Sequence, residues 1–200
     1  MRVLLTGAAT ELGRLLAAGL RADHHLRLSD AADLVTDLEF ARCGLGHDEA
    51  TDHLVAGIEA IVYPVPAHPA GAPATEWLDA STRCTYNLLL AAAEAGVRRV
   101  VVLSTLDILR AYDPDLAVAE DWRPRPTCEA DELGPHLAEM VAREFAHSGR
   151  LEVVVLRLGH LVEAEAARRL PYDPMWVDGR DVVGAVRVAL EQPLARFTVS

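Results

Sequence analysis

Two stretches of this 200-residue chain combine residue types at spacings that can do chemistry. The first is Thr6-Gly7-Ala8-Ala9-Thr10-Glu11-Leu12-Gly13, which joins an apolar run to a helical-period segment. A chain that turns sharply there exposes amides at a helix N-terminus, an arrangement that suits a pyrophosphate. Gly7 can make the tight turn and Gly13 can let the helix pack closely. Gly7, Ala9, Thr10, Glu11, Leu12 and Gly13 are therefore the candidate cofactor-binding loop. Asp30 follows about twenty residues on, at the end of the next apolar run, where a carboxylate accepts hydrogen bonds from an adenosine ribose. The plain alternative is a loop or helix-capping acid. A carboxylate there would repel a 2′-phosphate, so the expected cofactor is NAD; Arg14 and Arg27 keep NADP open.

The second stretch is His47, Asp48, Glu49, Asp52 and His53. Two histidines six apart do not share a helical face as i,i+4 ligands would, so a solvated helix and no metal are expected. There is no GxSxG elbow and hence no support for serine hydrolysis. All nineteen basic residues are arginines. The absence of lysine excludes every mechanism that needs a lysine amine.

The elements that must position these residues alternate along the chain. Apolar runs at Arg2–Thr6, His25–Ser29, Leu34–Thr36, Glu59–Pro64, Arg98–Ser104 and Leu151–Leu156 read as strands, with a last short one at Arg196–Val199. Helical-period segments at Glu11–Ala22, His47–Ala56, Thr75–Ala95, Glu129–His147 and Arg180–Glu191 lie between them. Such βα alternation predicts an α/β fold: a doubly wound parallel sheet of the Rossmann type, three layers deep, in strand order 3-2-1-4-5-6. Loops at Ala67–Ala74 and Arg110–Cys128 follow strands and should rise from the carboxyl edge, where ligands bind in such sheets.

Composition bounds the partners. The formal net charge of −11 argues against nucleic acid or an anionic membrane, both of which demand a basic surface. No apolar run approaches the ~20 residues of a membrane span. Cys43, Cys84 and Cys128 are odd in number and widely spaced, which suggests reduced, buried thiols in a cytoplasmic protein.

An ordered set of motifs resembles the extended short-chain dehydrogenase/reductase superfamily, and within it the NAD-dependent epimerase/dehydratase family. The glycine loop resembles TGxxGxxG at Thr6, Gly7 and Gly13. Gly57-Ile58-Glu59-Ala60-Ile61-Val62 is similar to GxDxVxH, and Thr85 to Val101 closely resembles TxNLLxAAxxAGVxRVV. Val153 to Gly159 resembles VxxLRPG, and Asp178 to Ala185 the VxDVAxA helix start. The resemblance implies that Asp37-Leu38, taken as the acidic-Leu pair after the third strand, contacts adenine. It also implies that Pro64 and Val65 line the cofactor after the fourth strand and that Ser104 and Thr105 are the Ser/Thr pair after the fifth. It further implies a homodimer formed through helices 75–95 and 129–147.

The departures fall in the chemistry. Thr10 replaces the middle glycine and would crowd the pyrophosphate, though its hydroxyl could bond a phosphate oxygen. Pro64-Val65-Pro66 replaces small residues. Aligning Glu139 with the family's helix glutamate puts Asp131 at the tyrosine and Pro135 at the lysine of YxxxK. Leu109-Arg110 replaces a Tyr-Gly. With Ser200 as the last residue, a single dinucleotide-binding domain over 1–200 is expected, its substrate lobe reduced to about 159–177. The implied function is an NAD(P)-binding protein without the usual dehydrogenase or epimerase chemistry, in a binding, sensing or regulatory role. The alternatives are an oxidoreductase or epimerase with an unusual acid/base, and a non-binding scaffold or dimerisation module. The candidates for such an acid/base are Thr105, which could bond a carbonyl, and His136, whose basicity Glu132 one turn earlier could raise.

Overall fold

Val- and Leu-rich runs with no polar face can be covered only by burial on both sides, and they form the middle of a parallel sheet. The computed structural model describes residues 1–66, 73–113, 115–119, 121–193 and 197–199. In chain order, β1 (Arg2–Leu5), α1 (Glu11–Leu20), β2 (His25–Asp30), β3 (Glu39–Arg42), α2 (Glu49–Val55) and β4 (Ala60–Pro64) form the first half. Then come α3 (Ala74–Asp79), α4 (Thr85–Glu94), β5 (Arg99–Thr105), α5 (Ala130–His147) and β6 (Glu152–Leu158). The remainder is β7 (His160–Val162), α6 (Ala164–Ala167), β8 (Trp176–Asp178), α7 (Gly179–Glu191) and β9 (Phe197–Val199). The large sheet runs β3-β2-β1-β4-β5-β6-β9, parallel throughout, and β7 pairs with β8 in a separate short ribbon.

Alternate residues of each strand serve two cores. Leu4, Ile61, Val100, Val102, Val153 and Val155 meet α2, α4 and α5 on one face. Val3, Leu5, Val62, Val101 and Val154 meet α1 and α7 on the other. The doubly wound architecture and its strand order are as expected.

Three expectations are corrected. The third strand is Glu39–Arg42, not Leu34–Thr36, and Val35 is fully exposed. At this edge burial is partial on both faces: Phe40 packs against one core and Ala41 against the other, while Glu39 and Arg42 stay exposed. The helix read as Thr75–Ala95 is α3 and α4 joined by a widened π turn at Ala80–Cys84. It ends as expected before Gly96, at φ 75°. Cys43 and Cys84 are buried free thiols, but Cys128 is exposed in the loop before α5. Of the two proposed loops, residues 67–72, 114 and 120 lie outside the described residues, as does Arg196 of the last strand.

Candidate functional site

The glycine loop takes its shape from two glycines used differently. Gly7 sits at φ 62°, where an L side chain is strained. A Cβ on Gly13 would stand 2.2 Å from the Gly7 carbonyl oxygen and 2.7 Å from Ala8 Cα. Only glycine lets α1 start this close to the turn. Thr10 is the N-cap of α1: its Oγ1 accepts from the Gly13 amide at 3.0 Å and donates to the Gly7 carbonyl at 2.7 Å. That hydroxyl is therefore spent inside the loop and does not serve a phosphate. First-turn amides lack acceptors within their own helix. With Gly13 capped, the amides of Glu11 and Leu12 are the donors this turn offers an anion.

Asp30, at the carboxyl end of β2, ties the loop down. Its Oδ2 accepts from the Ala9 amide and its Oδ1 from the Ala32 amide, both at 2.9 Å. A carboxylate has about four lone-pair sites, so two remain for ribose hydroxyls. Arg27, one of the two arginines weighed as a phosphate ligand, lines a pocket with Arg2, His25 and Ile58 at the amino edge. It is bound there to Glu39 at 2.7 Å and to the carbonyls of Leu54 and Ala56. Arg42, which sequence reasoning missed, pairs across the ladder with Asp30 and lies near Asp33.

Asp37 and Leu38 do not join this group. They precede β3 at the amino edge, where Asp37 pairs with Arg21 at 2.6 Å and Leu38 lines the same pocket as Arg27. The misplaced third strand caused this error. Cys43, Gly44 and Leu45 follow β3, so glycine stands where the family pair has its acid. Leu45 takes a positive φ of 54°, and Asn87 holds its carbonyl at 3.1 Å.

A cavity of about 610 Å³ opens along the carboxyl edge. Leu12, Pro64, Val65, Ser104 and Thr105 line it together with Asp131 and Pro135, the two residues that the family resemblance aligns with the tyrosine and lysine. Val65 is pinned by its amide to the Leu103 carbonyl, and the Pro66 carbonyl accepts from the Trp77 indole N–H at 3.0 Å. Trp77 lies so close to Gly134 of α5 that any side chain there would overlap its ring. Ser104 is buried and its Oγ has no hydrogen-bond partner among the described residues. Thr105 is engaged differently, capping a short 3-10 turn. Its Oγ1 donates to Asp107 Oδ2 at 3.0 Å and accepts from the Asp107 amide at 3.1 Å. It has no proton left for a carbonyl unless it gives up Asp107.

His136 is corrected as an acid/base candidate. It faces a second pocket, with Trp122, Arg123, Glu139, Arg143 and Arg157, and does not line the cavity of Ser104. Burial pushes its pKa below the usual histidine value, with Arg157 and Arg123 adding to the shift and Glu139 opposing it. Glu132, proposed to raise it, instead accepts from the Thr127 amide at 2.8 Å. Sequence reasoning missed His160, whose Nε2 lies 3.2 and 3.3 Å from the two oxygens of Asp107. No local spacing links residues 53 positions apart; only the fold does. Among the described residues no His, Cys, Asp and Glu group could hold a metal, and Asp48 of the acidic stretch caps α2.

The sequence model of the NAD dependent epimerase/dehydratase family matches residues 3–171. This chain belongs to that family. It is 29% identical over 207 residues to a uronate dehydrogenase of Pseudomonas syringae pv. tomato, covering 99% of this chain and 72% of that protein. A glucuronic acid dehydrogenase from Chromohalobacter salexigens superposes with a TM-score of 0.85 at 25% identity, over 100% of this chain and 75% of the other. A tyrosine-to-alanine variant of uronate dehydrogenase from Agrobacterium tumefaciens, complexed with NAD, gives the same TM-score and identity over 99% and 75%. The Rossmann fold and the family are thereby shown.

Proposed function

We propose that the chain binds NAD along the carboxyl-edge cavity and does not run the tyrosine–lysine reaction of its family. One observation carries this reading: a single cavity joins the glycine-loop helix and Ser104 to Asp131 and Pro135, which the motif alignment sets against the tyrosine and lysine. The amides of Glu11 and Leu12 hold the pyrophosphate and the free lone pairs of Asp30 the adenosine ribose. Bound NAD supplies a hydride acceptor. Ser104 Oγ orients a ligand oxygen, and the family's ribose-holding ammonium is missing because the chain has no lysine. The relatives named for NAD or for uronate support the cofactor. The variant of A. tumefaciens shows, for that protein, an NAD complex in the absence of one tyrosine.

Calorimetry and melting curves with NAD, NADH, NADP and NADPH test this. A ligand at about 100 times its Kd adds roughly 2.7 kcal/mol of stability. NAD is expected to bind best, and NADPH binding tighter than NADH would overturn the assignment. Uronates, sugars and simple secondary alcohols should show no NAD-dependent turnover. The contacts of Asp107 with His160 favour a second reading, an oxidoreductase with that pair as acid/base. Turnover that collapses in His160→Gln would establish it.

A homodimer through α4 and α5 belongs to the same proposal. Tyr86 and Met140 are about half exposed on these helices, and Met140 lines a groove of about 310 Å³ with Leu137 and Val141. The buried thiols of Cys43 and Cys84 support a reducing, cytoplasmic setting.

A further inference from the structure

We propose that a cleft apart from the dinucleotide cavity binds a small amphipathic carboxylate, an apolar chain or ring carrying one acid group. Two cavities of about 590 and 460 Å³ make up the cleft, and Arg157 of β6 lines both. Each has the size that takes a small organic ligand. Only Arg110 is shared with the cavity of Ser104, so the proposal does not rest on the cofactor reading. The two ends differ in chemistry. Leu106, Leu109, Leu116, Val118 and Met175 wall the larger one. Trp122, Arg123, His136 and Arg143 wall the other.

At the apolar end, Leu116 is 50% exposed and Val118 39% exposed, both on one concave wall. Apolar side chains left open together, and not scattered singly, mark a surface that is covered in use. At the other end the charge is unbalanced. Arg123 and Arg143 make no ion pair with any described residue, and Asp121 is the one uncommitted carboxylate beside them. Arg157 and Glu139 are spent on each other at 2.9 Å. This cation excess stands in a chain whose formal net charge is −11. His136 adds a second sign of a ligand: its Nδ1 is buried with no partner among the described residues. Buried polar atoms almost always have one, and a carboxylate oxygen provides it.

The wall that carries Arg123 is built. Tyr112 meets Trp122 edge-on, with ring centroids 4.7 Å apart, and Arg125 lies 4.3 Å over the Tyr112 ring. Tyr112 Oη donates to the Arg123 carbonyl at 2.9 Å, and the Arg125 amide donates to the Ile108 carbonyl at 2.9 Å. Arg123 is thereby held in the cavity that Arg143 of α5 also lines, and one carboxylate answers both. Arg143 stands at the border with the α5 groove of the proposed dimer, whereas Arg123 does not line that groove.

Calorimetric titration of the full chain at neutral pH with octanoate, 1-octanol, octylammonium and acetate tests this. One octanoate per chain is expected, about tenfold tighter than octanol or octylammonium and about a hundredfold or more tighter than acetate. High salt should narrow the gap between octanoate and octanol. Arg123→Gln should weaken octanoate about fivefold and leave octanol unchanged, and adding Arg143→Gln should bring octanoate to the level of octanol. Leu116→Ser should weaken octanoate and octanol by one common factor of about five. All three side chains are exposed, and an unchanged melting temperature shows that the variants fold. Octanol, octylammonium or acetate equal to octanoate, full octanoate affinity in the double arginine variant, or no binding of octanoate would overturn the proposal.

Discussion

At the scale of single residues the site is decided by very small volumes. Gly13 has no room for a methyl group, since its Cβ would meet backbone atoms that cannot turn away. Gly13→Ala should lift α1 off the loop, costing roughly 1–3 kcal/mol of stability and about tenfold or more in NAD affinity, read by urea titration and calorimetry. Thr10→Gly tests the opposite case. It restores the glycine of the family motif at the cost of a few tenths of a kcal/mol in capping. NAD should then bind about tenfold tighter, the gain expected from relieving about 1.4 kcal/mol of crowding. An unchanged affinity would mean that the Thr10 methyl group already stands clear of the pyrophosphate.

The elements are held in register by a few buried polar clamps. Arg99 in β5 is 3% exposed and donates from Nη1 to the carbonyls of Ala189, Leu190 and Gln192 at the end of α7. Its Nε and Nη2 bind Glu152 Oε2 of β6 at 3.1 and 2.7 Å. One guanidinium thus satisfies the terminal carbonyls of a helix and ties it to two strands. Arg99→Leu should cost about 3 kcal/mol, seen as a lower urea midpoint with an unchanged slope. Glu139 and Arg157 form a similar buried pair between α5 and β6, at 2.9 Å. The Gly19 site shows the apolar counterpart: a Cβ there would come within 2.6 Å of Val183, so α1 and α7 cross on a bare backbone.

For the whole molecule, two measurable properties follow. His24 is buried near the ends of α1 and α7, with neither ring nitrogen hydrogen-bonded among the described residues. Burial, with the N-terminal ammonium and Arg187 adding, lowers its pKa below the histidine value of 6.5, against the opposing charges of Glu191 and Asp23. The unfolded chain therefore binds this proton first as pH falls. Stability is complete above about pH 6.5 and declines below it, by at most about 1.4 kcal/mol per pH unit for each such histidine. His136 adds a second contribution of the same sign. Urea titrations between neutral pH and about pH 5 should show this slope, and it should be shallower in His24→Gln. Assembly is the other property. Light scattering at micromolar concentration should give a dimer, and Met140→Glu should give a monomer with the same circular dichroism.

The sequence by itself determined the Rossmann fold, the sheet order, the glycine loop and the placement of Asp30. Each of these is written locally, in continuous apolar runs, in a turn that only glycine fits, or in an acid at a fixed distance along the chain. Ser104 was legible from motif order, because a strand end delivers its residue to the carboxyl edge. The third strand was not legible: an edge strand buries half its surface, and Glu39-Phe40-Ala41-Arg42 carries a weaker apolar signal than Leu34-Val35-Thr36. That single slip put Asp37 and Leu38 on the wrong edge of the sheet. Side-chain direction was equally invisible. Which way His136 faces on α5, and whether Thr105 keeps a free proton, depend on neighbours brought from elsewhere in the chain. His160 reaches Asp107 because only packing sets distances between residues far apart in sequence.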